Sequence, residues 1–267
     1  MQYGMIIDLD RCVGCHACVI ACKAEWDVPT EFARNWVRHL GPAKIGEEMA
    51  MSYYVGLCNH CADPVCVTDC PGEPLEVTFS NPKTGEKKTA TVPATWKDPI
   101  DGTVQIDKSR CIGCGACIEA CPYHARYLNP ALIDAIGSDG KADKCTYCKP
   151  RFEQGLPPAC VQTCITGARI FGDLDDPASE VAQYVKKGAV GLEAKGGNLG
   201  PNSRYFGKKK DMDLLFSTST PELAGLEKAG RRALMAKIMQ PAMKAAGELT
   251  VLGLVGAAAV KALADKE

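Results

Sequence analysis

Apolar positions come in short runs along this chain, and few of them hold a helical period for long. Residues 3 to 9 (YGMIIDL) and 103 to 106 (TVQI) read as short strands, each running into an Asp-containing turn. Residues 74 to 92, PLEVTFSNPKTGEKKTATV, read as a β-hairpin with NPKTGE as its turn. Such an insert reads first as a solvated surface element and second as a contact for a partner. From Asp175 the segment DDPASEVAQYVKK predicts a helix capped by Asp176, with Pro177 in the first turn. Residues 188 to 207 are Gly-rich and read as loop. Thr220-Pro221-Glu222 predicts a further helix running toward Met239 and reset at Pro241. The last uncharged run, Leu249 to Val260, has 12 residues, short of the roughly 20 that span a bilayer. A packed helix, a helix lying on a membrane subunit and a short anchor compete for it, in that order.

Composition sharpens this picture at one point. The chain has 267 residues and is 46% hydrophobic, enough for one large core or two smaller ones. A formal net charge of -1 gives no pull toward nucleic acid. Its 16 Cys are the main signal. A disulfide scaffold would be short and secreted, whereas Met1-Gln2-Tyr3-Gly4 leads straight into the first strand with no basic or apolar leader.

All 16 Cys fall into four groups of four. The first is Cys12, Cys15, Cys18 and Cys22, and the second is Cys58, Cys61, Cys66 and Cys70. The third is Cys111, Cys114, Cys117 and Cys121, and the fourth is Cys145, Cys148, Cys160 and Cys164. The first and third belong to a longer internal repeat. MIIDLDRCVGCHACVIAC aligns with TVQIDKSRCIGCGACIEAC, matching Asp8 to Asp107, Arg11 to Arg110 and Cys12 to Cys111.

Taken alone, Cys12-Val13-Gly14-Cys15-His16 is a c-type haem signature. The repeat keeps the thiols but places Gly115 where His16 stands, so it discards the residue a haem would need. Zinc prefers two separated C-x2-C pairs, a pattern nearest to the fourth group. Three Cys within seven residues and a fourth three further on suit the corners of an iron–sulfur cubane. In two-cluster ferredoxins the last Cys of each run ligates the other cluster, so four groups imply two pairs and four clusters.

The order C-x2-C-x2-C-x3-C, C-x2-C-x4-C-x3-CP, C-x2-C-x2-C-x3-CPY, C-x2-C-x11-C-x3-C resembles the four-cluster electron-transfer β subunits of molybdopterin oxidoreductases. LCNHCADPVC, CIGCGACIEACPYHARYLNP, ADKCTYC and PACVQTCITGARIFGDLDDP carry the resemblance, which covers roughly residues 3 to 187. It implies an α+β fold of two interleaved bacterial-ferredoxin-like modules, with short antiparallel strands and helices around pairs of cubanes. Residues 1–30 and 140–187 would form one module and 50–139 the other, with the hairpin 74–92 inserted. Residues 188–267 would be a loop and helical C-terminal tail.

The resemblance also implies four ligand sets. Cys12, Cys15, Cys18 and Cys164 would hold one [4Fe–4S] cluster, and Cys22, Cys145, Cys148 and Cys160 its neighbour. Cys58, Cys61, Cys66 and Cys121 would hold a third, and Cys70, Cys111, Cys114 and Cys117 the fourth. Some relatives replace a Cys of the third group by Trp and carry a three-iron cluster; all four Cys are present here. Departures from the pattern are Lys23 and Ile165, where a Pro is common after the last Cys, and a long segment from Pro71 to Arg110.

No Gly-rich phosphate loop and no nucleophile–base pair stands out, so the chain reads as non-catalytic by itself. Gly14, Gly113 and Gly115 would bring backbone N–H groups close to sulfur. His16, His60 and His124 read either as tuners of cluster potential or as surface residues. Lys23, Lys144 and Lys149 read as solvated charges or as offsets to the clusters, and Arg126 and Arg169 as structural bridges between loops. The implied partners are a molybdenum or tungsten pterin subunit and a quinone-linked membrane subunit. A free polyferredoxin, or the equivalent subunit of a hydrogenase or formate dehydrogenase, is the alternative. The expected location is the cytoplasmic membrane, reached through a partner, on either face.

Overall fold

The computed structural model describes residues 1–81, 84–132 and 140–223. In chain order, β1 (Tyr3–Asp8), α1 (Ala17–Trp26), β2 (Asn35–Ile45), β3 (Glu48–Leu57), α2 (Val65–Thr68), β4 (Leu75–Ser80) and β5 (Lys87–Val92) come first. Then follow β6 (Thr95–Lys97), β7 (Val104–Ile106), α3 (Ala116–Ala120), β8 (Tyr127–Asn129), β9 (Lys141–Asp143), α4 (Lys149–Glu153) and α5 (Ala159–Gln162). The last are β10 (Arg169–Asp173), α6 (Glu180–Lys186), β11 (Val190–Gly191), β12 (Ser203–Phe206) and α7 (Lys209–Ser219).

The main sheet has the order β10-β1-β12-β11, and the other strands pair as β2–β3, β4–β5, β6–β7 and β8–β9. β1 is hydrogen-bonded on both edges, antiparallel to β10 and parallel to β12. Its run Met5-Ile6-Ile7 is fully buried, because a strand covered on both faces needs continuous rather than alternating apolar residues. Ile6 faces a small core with Ile170, Val181 and Tyr184, which α6 lays over the sheet. Met5 and Ile7 face the larger core that contains Cys18, Cys58, Cys145 and Cys160. The sheet thus forms one wall of the cysteine-bearing interior.

Met1–Ala224 form one compact unit, and residues past the Gly-rich stretch belong to it. Residues 188–207 supply β11 and β12 rather than loop alone, and the helix after them is α7. Leu214 and Leu215 of α7 are buried, the latter in the larger core. Thr220 closes α7, and Glu222 pairs in a bridge with Lys195. The helix expected toward Met239 and the run Leu249 to Val260 lie outside the described residues. Among those described, no helix is long and apolar enough to cross a membrane.

Two further expectations change. The helix after Asp175 is capped by Ser179, whose hydroxyl accepts from the Ala182 N–H at 3.2 Å. Asp176 instead accepts from the Ala178 N–H and shapes the turn before it. The long hairpin β2–β3 carries no strong turn or alternation signal in the sequence. Gly56 makes it possible, since a Cβ there would lie 2.2 Å from the Trp36 ring that packs across the pair.

Candidate iron–sulfur centres

The repeat is built into the backbone. Asp8 accepts from the N–H groups of Asp10 and Arg11, while its carbonyl accepts from Cys12. Asp107 makes the matching bonds to Ser109, Arg110 and Cys111. Burial pushes the Asp107 carboxyl up, but its Ser109 and Arg110 donors outweigh that and hold it at about 2. Each turn delivers the chain into a loop with the same left-handed residues. Gly14 and Gly113 have φ of 65° and 69°, and His16 and Gly115 have 61° and 73°. A Cβ on Gly14 would come within 2.4 Å of Tyr53, so the first glycine is required twice over.

His16 is therefore a side chain in a slot where the other copy has glycine. The left-handed conformation costs a non-glycine residue about 1–2 kcal/mol. Glycine would return about 0.5–1 kcal/mol of that as backbone entropy. His16→Gly should thus raise stability by about 0–1.5 kcal/mol, read as a small rise in the melting temperature of the iron-loaded protein. A clear fall would mean that the stack of His16 on His39, at 5.6 Å, matters more than the strain. His124 repeats this pattern, with φ of 51° where the equivalent Gly167 has 65°.

The structure brings thiols from different groups together. Cys12, Cys15, Cys18 and Cys164 line one cavity, whose wall includes Ile7, Val55 and Arg169. Cys70, Cys111, Cys114 and Cys117 line another, beside Thr95 and Ala142. Of the remaining thiols, Cys145, Cys160 and Cys58 lie in the larger core with Cys61 and Cys121 packed against it. Electrostatically, Cys22 acts with Cys160 and Cys148, Cys145 with all three, and Cys61 with Cys58, Cys66 and Cys121. All sixteen are free thiols. Among the described residues no three His, Cys, Asp or Glu side chains converge as ligands of one ion do.

Their environment fits an anionic iron–sulfur group. Burial pushes Cys22 and Cys66 up to about 12 and Cys145 well above its ordinary value. Thiols packed this way become stable thiolates only on a cation, which iron supplies. Cys164 is lowered instead: burial raises it, but the N–H groups of Arg169, Ala168 and Thr166 and the Thr166 hydroxyl pull harder. Donors also reach Cys111 from the Ala142 N–H at 3.4 Å, Cys145 from the Tyr147 N–H at 3.4 Å, and Cys148 from the Trp26 indole at 3.3 Å. Such N–H···S contacts are among the levers that set cluster potentials.

The charged candidates separate sharply. Lys23 donates to the carbonyls of Pro29, Thr30 and Phe32 and holds a loop. Lys149 is tied to Asp98 and Asp101. Lys144, by contrast, is 1% exposed and donates to the carbonyls of Val104 and Cys145. Arg126 and Arg169 are 4% exposed. Nη2 of Arg126, and Nε and Nη2 of Arg169, are buried without a hydrogen-bond partner, the state expected of donors aimed at the sulfur of a bound cluster. His60 is fully buried, accepts the Val104 N–H at Nδ1 and stacks on Tyr147 at 3.8 Å. Burial first, then Lys144 and Arg126, hold it well below the usual imidazole range, so it is neutral. Nothing in single-residue chemistry marked these four as interior; only the Cys-x3-Ala-Arg turns shared by Arg126 and Arg169 offered a signal.

Comparison with known proteins agrees. Residues 49–174 match the 4Fe-4S dicluster domain, and residues 3–24 match the 4Fe-4S binding domain. A tetrathionate reductase subunit of Salmonella typhimurium is 38% identical over 182 residues, 68% of this chain and 62% of that protein. The thiosulfate reductase electron transfer subunit PhsB of Salmonella typhi is 40% identical over 186 residues, 69% of this chain and 81% of that one. A putative dimethyl sulfoxide reductase iron-sulfur subunit of Halobacterium salinarum is 34% identical over 246 residues, 80% of this chain and 86% of that one.

Proposed function

The chain belongs to the iron–sulfur β subunits of the molybdopterin oxidoreductases, non-catalytic parts of reductase complexes, and on that premise we propose that it wires two partners together. In this reading it carries single electrons through four [4Fe–4S] clusters between a molybdenum- or tungsten-pterin catalytic subunit and a quinone-linked membrane subunit. The first quartet is Cys12, Cys15, Cys18 and Cys164, and the second is Cys22, Cys145, Cys148 and Cys160. The third is Cys58, Cys61, Cys66 and Cys121, and the fourth is Cys70, Cys111, Cys114 and Cys117. When bound, the clusters supply one-electron chemistry without making or breaking bonds to substrate.

One observation carries the reading: thiols of successive quartets share cores. Cys18 of the first, Cys145 and Cys160 of the second and Cys58 of the third pack in one core, and Cys66 of the third packs with Cys117 of the fourth in another. Burial supports the same order. The second quartet is buried throughout, whereas Cys15 is exposed in the first, and Cys70, Cys111 and Cys114 are half-buried in the fourth. Exposed apolar residues flank both ends: Val13 and Ile165 by the first quartet, at 51% and 74%, and Ile112 by the fourth, at 53%. Apolar surface beside each terminal quartet suits docking at two ends, with attachment to the cytoplasmic membrane through one partner.

The test is anaerobic purification of the chain from its native cell, with assay of Fe, Mo, W and Ni. Roughly sixteen Fe per chain together with Mo or W is the expected result. The same iron without a partner metal would replace this reading with a free carrier, and nickel would point to a hydrogenase.

A further inference from the structure

A row of four quartets has three junctions, and each junction holds one buried cation. The Arg169 charge acts electrostatically on Cys160, Cys145 and Cys22 of the second quartet and Cys18 of the first. That of Lys144 acts on Cys145 of the second and Cys58 and Cys66 of the third. That of Arg126 acts on Cys66, Cys58 and Cys121 of the third and Cys117 of the fourth. Independent contacts place them alike. Arg169 lines the cavity of the first quartet. Arg126 donates at 3.4 Å to Thr95, which lines the cavity of the fourth. Val104, whose carbonyl takes the Lys144 ammonium, packs in one core with Cys66 and Cys117.

Another buried cation, Arg34, is met by a carboxylate. Arg34 is 7% exposed and bonds Asp143 through both Nε and Nη2 at 2.9 Å. Among the ion pairs of the described residues, none involves Lys144, Arg126 or Arg169. Burying a charge without a counter-ion is costly, and a cluster held by the neighbouring thiols would supply the counter-charge.

We propose that Arg169, Lys144 and Arg126 are positioning residues for electron passage, each holding up the reduction potential of the two clusters it faces and neutralising the charge shared across its junction. The inference rests on the four-cluster reading. A one-electron transfer across a junction leaves one cluster oxidised by one charge and its neighbour reduced by one. The total charge facing the cation is unchanged, and no proton or bond moves. The cation can therefore stay where it is, fixed by burial and by its carbonyl or side-chain partners.

The sequence repeat explains why there are three such residues rather than four. Arg126 and Arg169 stand five residues after Cys121 and Cys164, equivalent positions in the two halves. Lys144 precedes Cys145, but its counterpart before Cys58 is Leu57. At that middle junction the equivalent residues His60 and Tyr147 stack face to face, so the halves meet there. A cation from each half would set two like charges against one another, and one apolar counterpart avoids this.

The experiment is an EPR-monitored redox titration of purified, iron-loaded Lys144→Met. Unmutated protein comes first: its iron content and number of midpoints test the four-cluster reading separately. In the variant, the equilibrium constant for reduction of two clusters should fall tenfold or more, 59 mV per tenfold for one electron, with the other two unmoved. Lys144→Arg should restore the native midpoints, and Arg126→Met should move a pair that shares one cluster with the Lys144 pair. Full iron with no shift, or with an equal shift in all four, overturns the proposal. If Lys144→Met cannot hold iron, Lys144→Arg decides: native iron and midpoints show that the charge is required. Loss of iron there too would reduce Lys144 to a packing role and overturn it.

Discussion

Asp143→Ala is expected to destabilise the protein by about 3–5 kcal/mol, the cost of removing one partner from a buried ion pair. Asp143 is 1% exposed and accepts from Arg34 twice at 2.9 Å, from Lys108 at 2.7 Å and from the Tyr127 hydroxyl at 2.7 Å. Alanine leaves the Arg34 guanidinium buried and unpaired. The loss reaches the iron–sulfur interior, because Arg34 lies 4.5 Å over the Trp26 ring whose indole donates to Cys148. Denaturant unfolding of the iron-loaded protein under anaerobic conditions measures it. The sign of the pH dependence follows. Burial pushes the Asp143 carboxyl up, but Arg34 and Lys108 outweigh this and its folded value is lowered. Its contribution is thus fully present above the unfolded value, near pH 4, and is lost as pH falls through the lower folded value. The gap between native and variant protein should be flat from pH 5 to 8 and narrow below about 4. A gap that narrows on raising the pH would contradict the assignment.

Removing Cys12 and Cys164 together by serine substitution should cost roughly a quarter of the iron, whereas removing Cys12 and Cys22 together should cost roughly half. The difference tests the crossing of ligands between groups. Cys12 and Cys164 lie 152 positions apart in the chain yet line one cavity, while Cys22, ten positions from Cys12, is absent from that lining and acts electrostatically with Cys160 and Cys148. If groups of neighbouring Cys each held a cluster alone, the two results would be exchanged. Iron per chain after anaerobic reconstitution reads the outcome directly.

Much of the cysteine-bearing region was open to reading because its logic is local. Thiol spacing reflects the size of what the thiols surround, and Asp8 and Asp107 act on residues two to four positions away. The Gly115-for-His16 exchange likewise reports a single backbone angle. The hairpin β2–β3 and strand β12 were not legible: the first depends on Trp36 lying across Gly56, and the second on the free edge of β1. Ser179 displaced Asp176 as a cap because both are good acceptors, and packing of Val181 and Tyr184 on the sheet chose where the helix starts.

The amino-acid sequence alone determined the ligand chemistry, the internal repeat and the kinship of this chain, since all three rest on residue types at fixed spacings. Only the tertiary structure decided which charges matter. Lys23, Lys144 and Lys149 all flank cysteines. The first holds a loop, the last meets carboxylates, and the middle one is buried, donating to the carbonyls of Cys145 and of Val104, which packs with Cys66. Arg126 and Arg169 do bridge distant segments, to Thr95 and Asn35, and are besides buried, partly unsatisfied donors. The role of a charge depends on its dielectric surroundings and on the charges it faces, and segments far apart in the chain supply both.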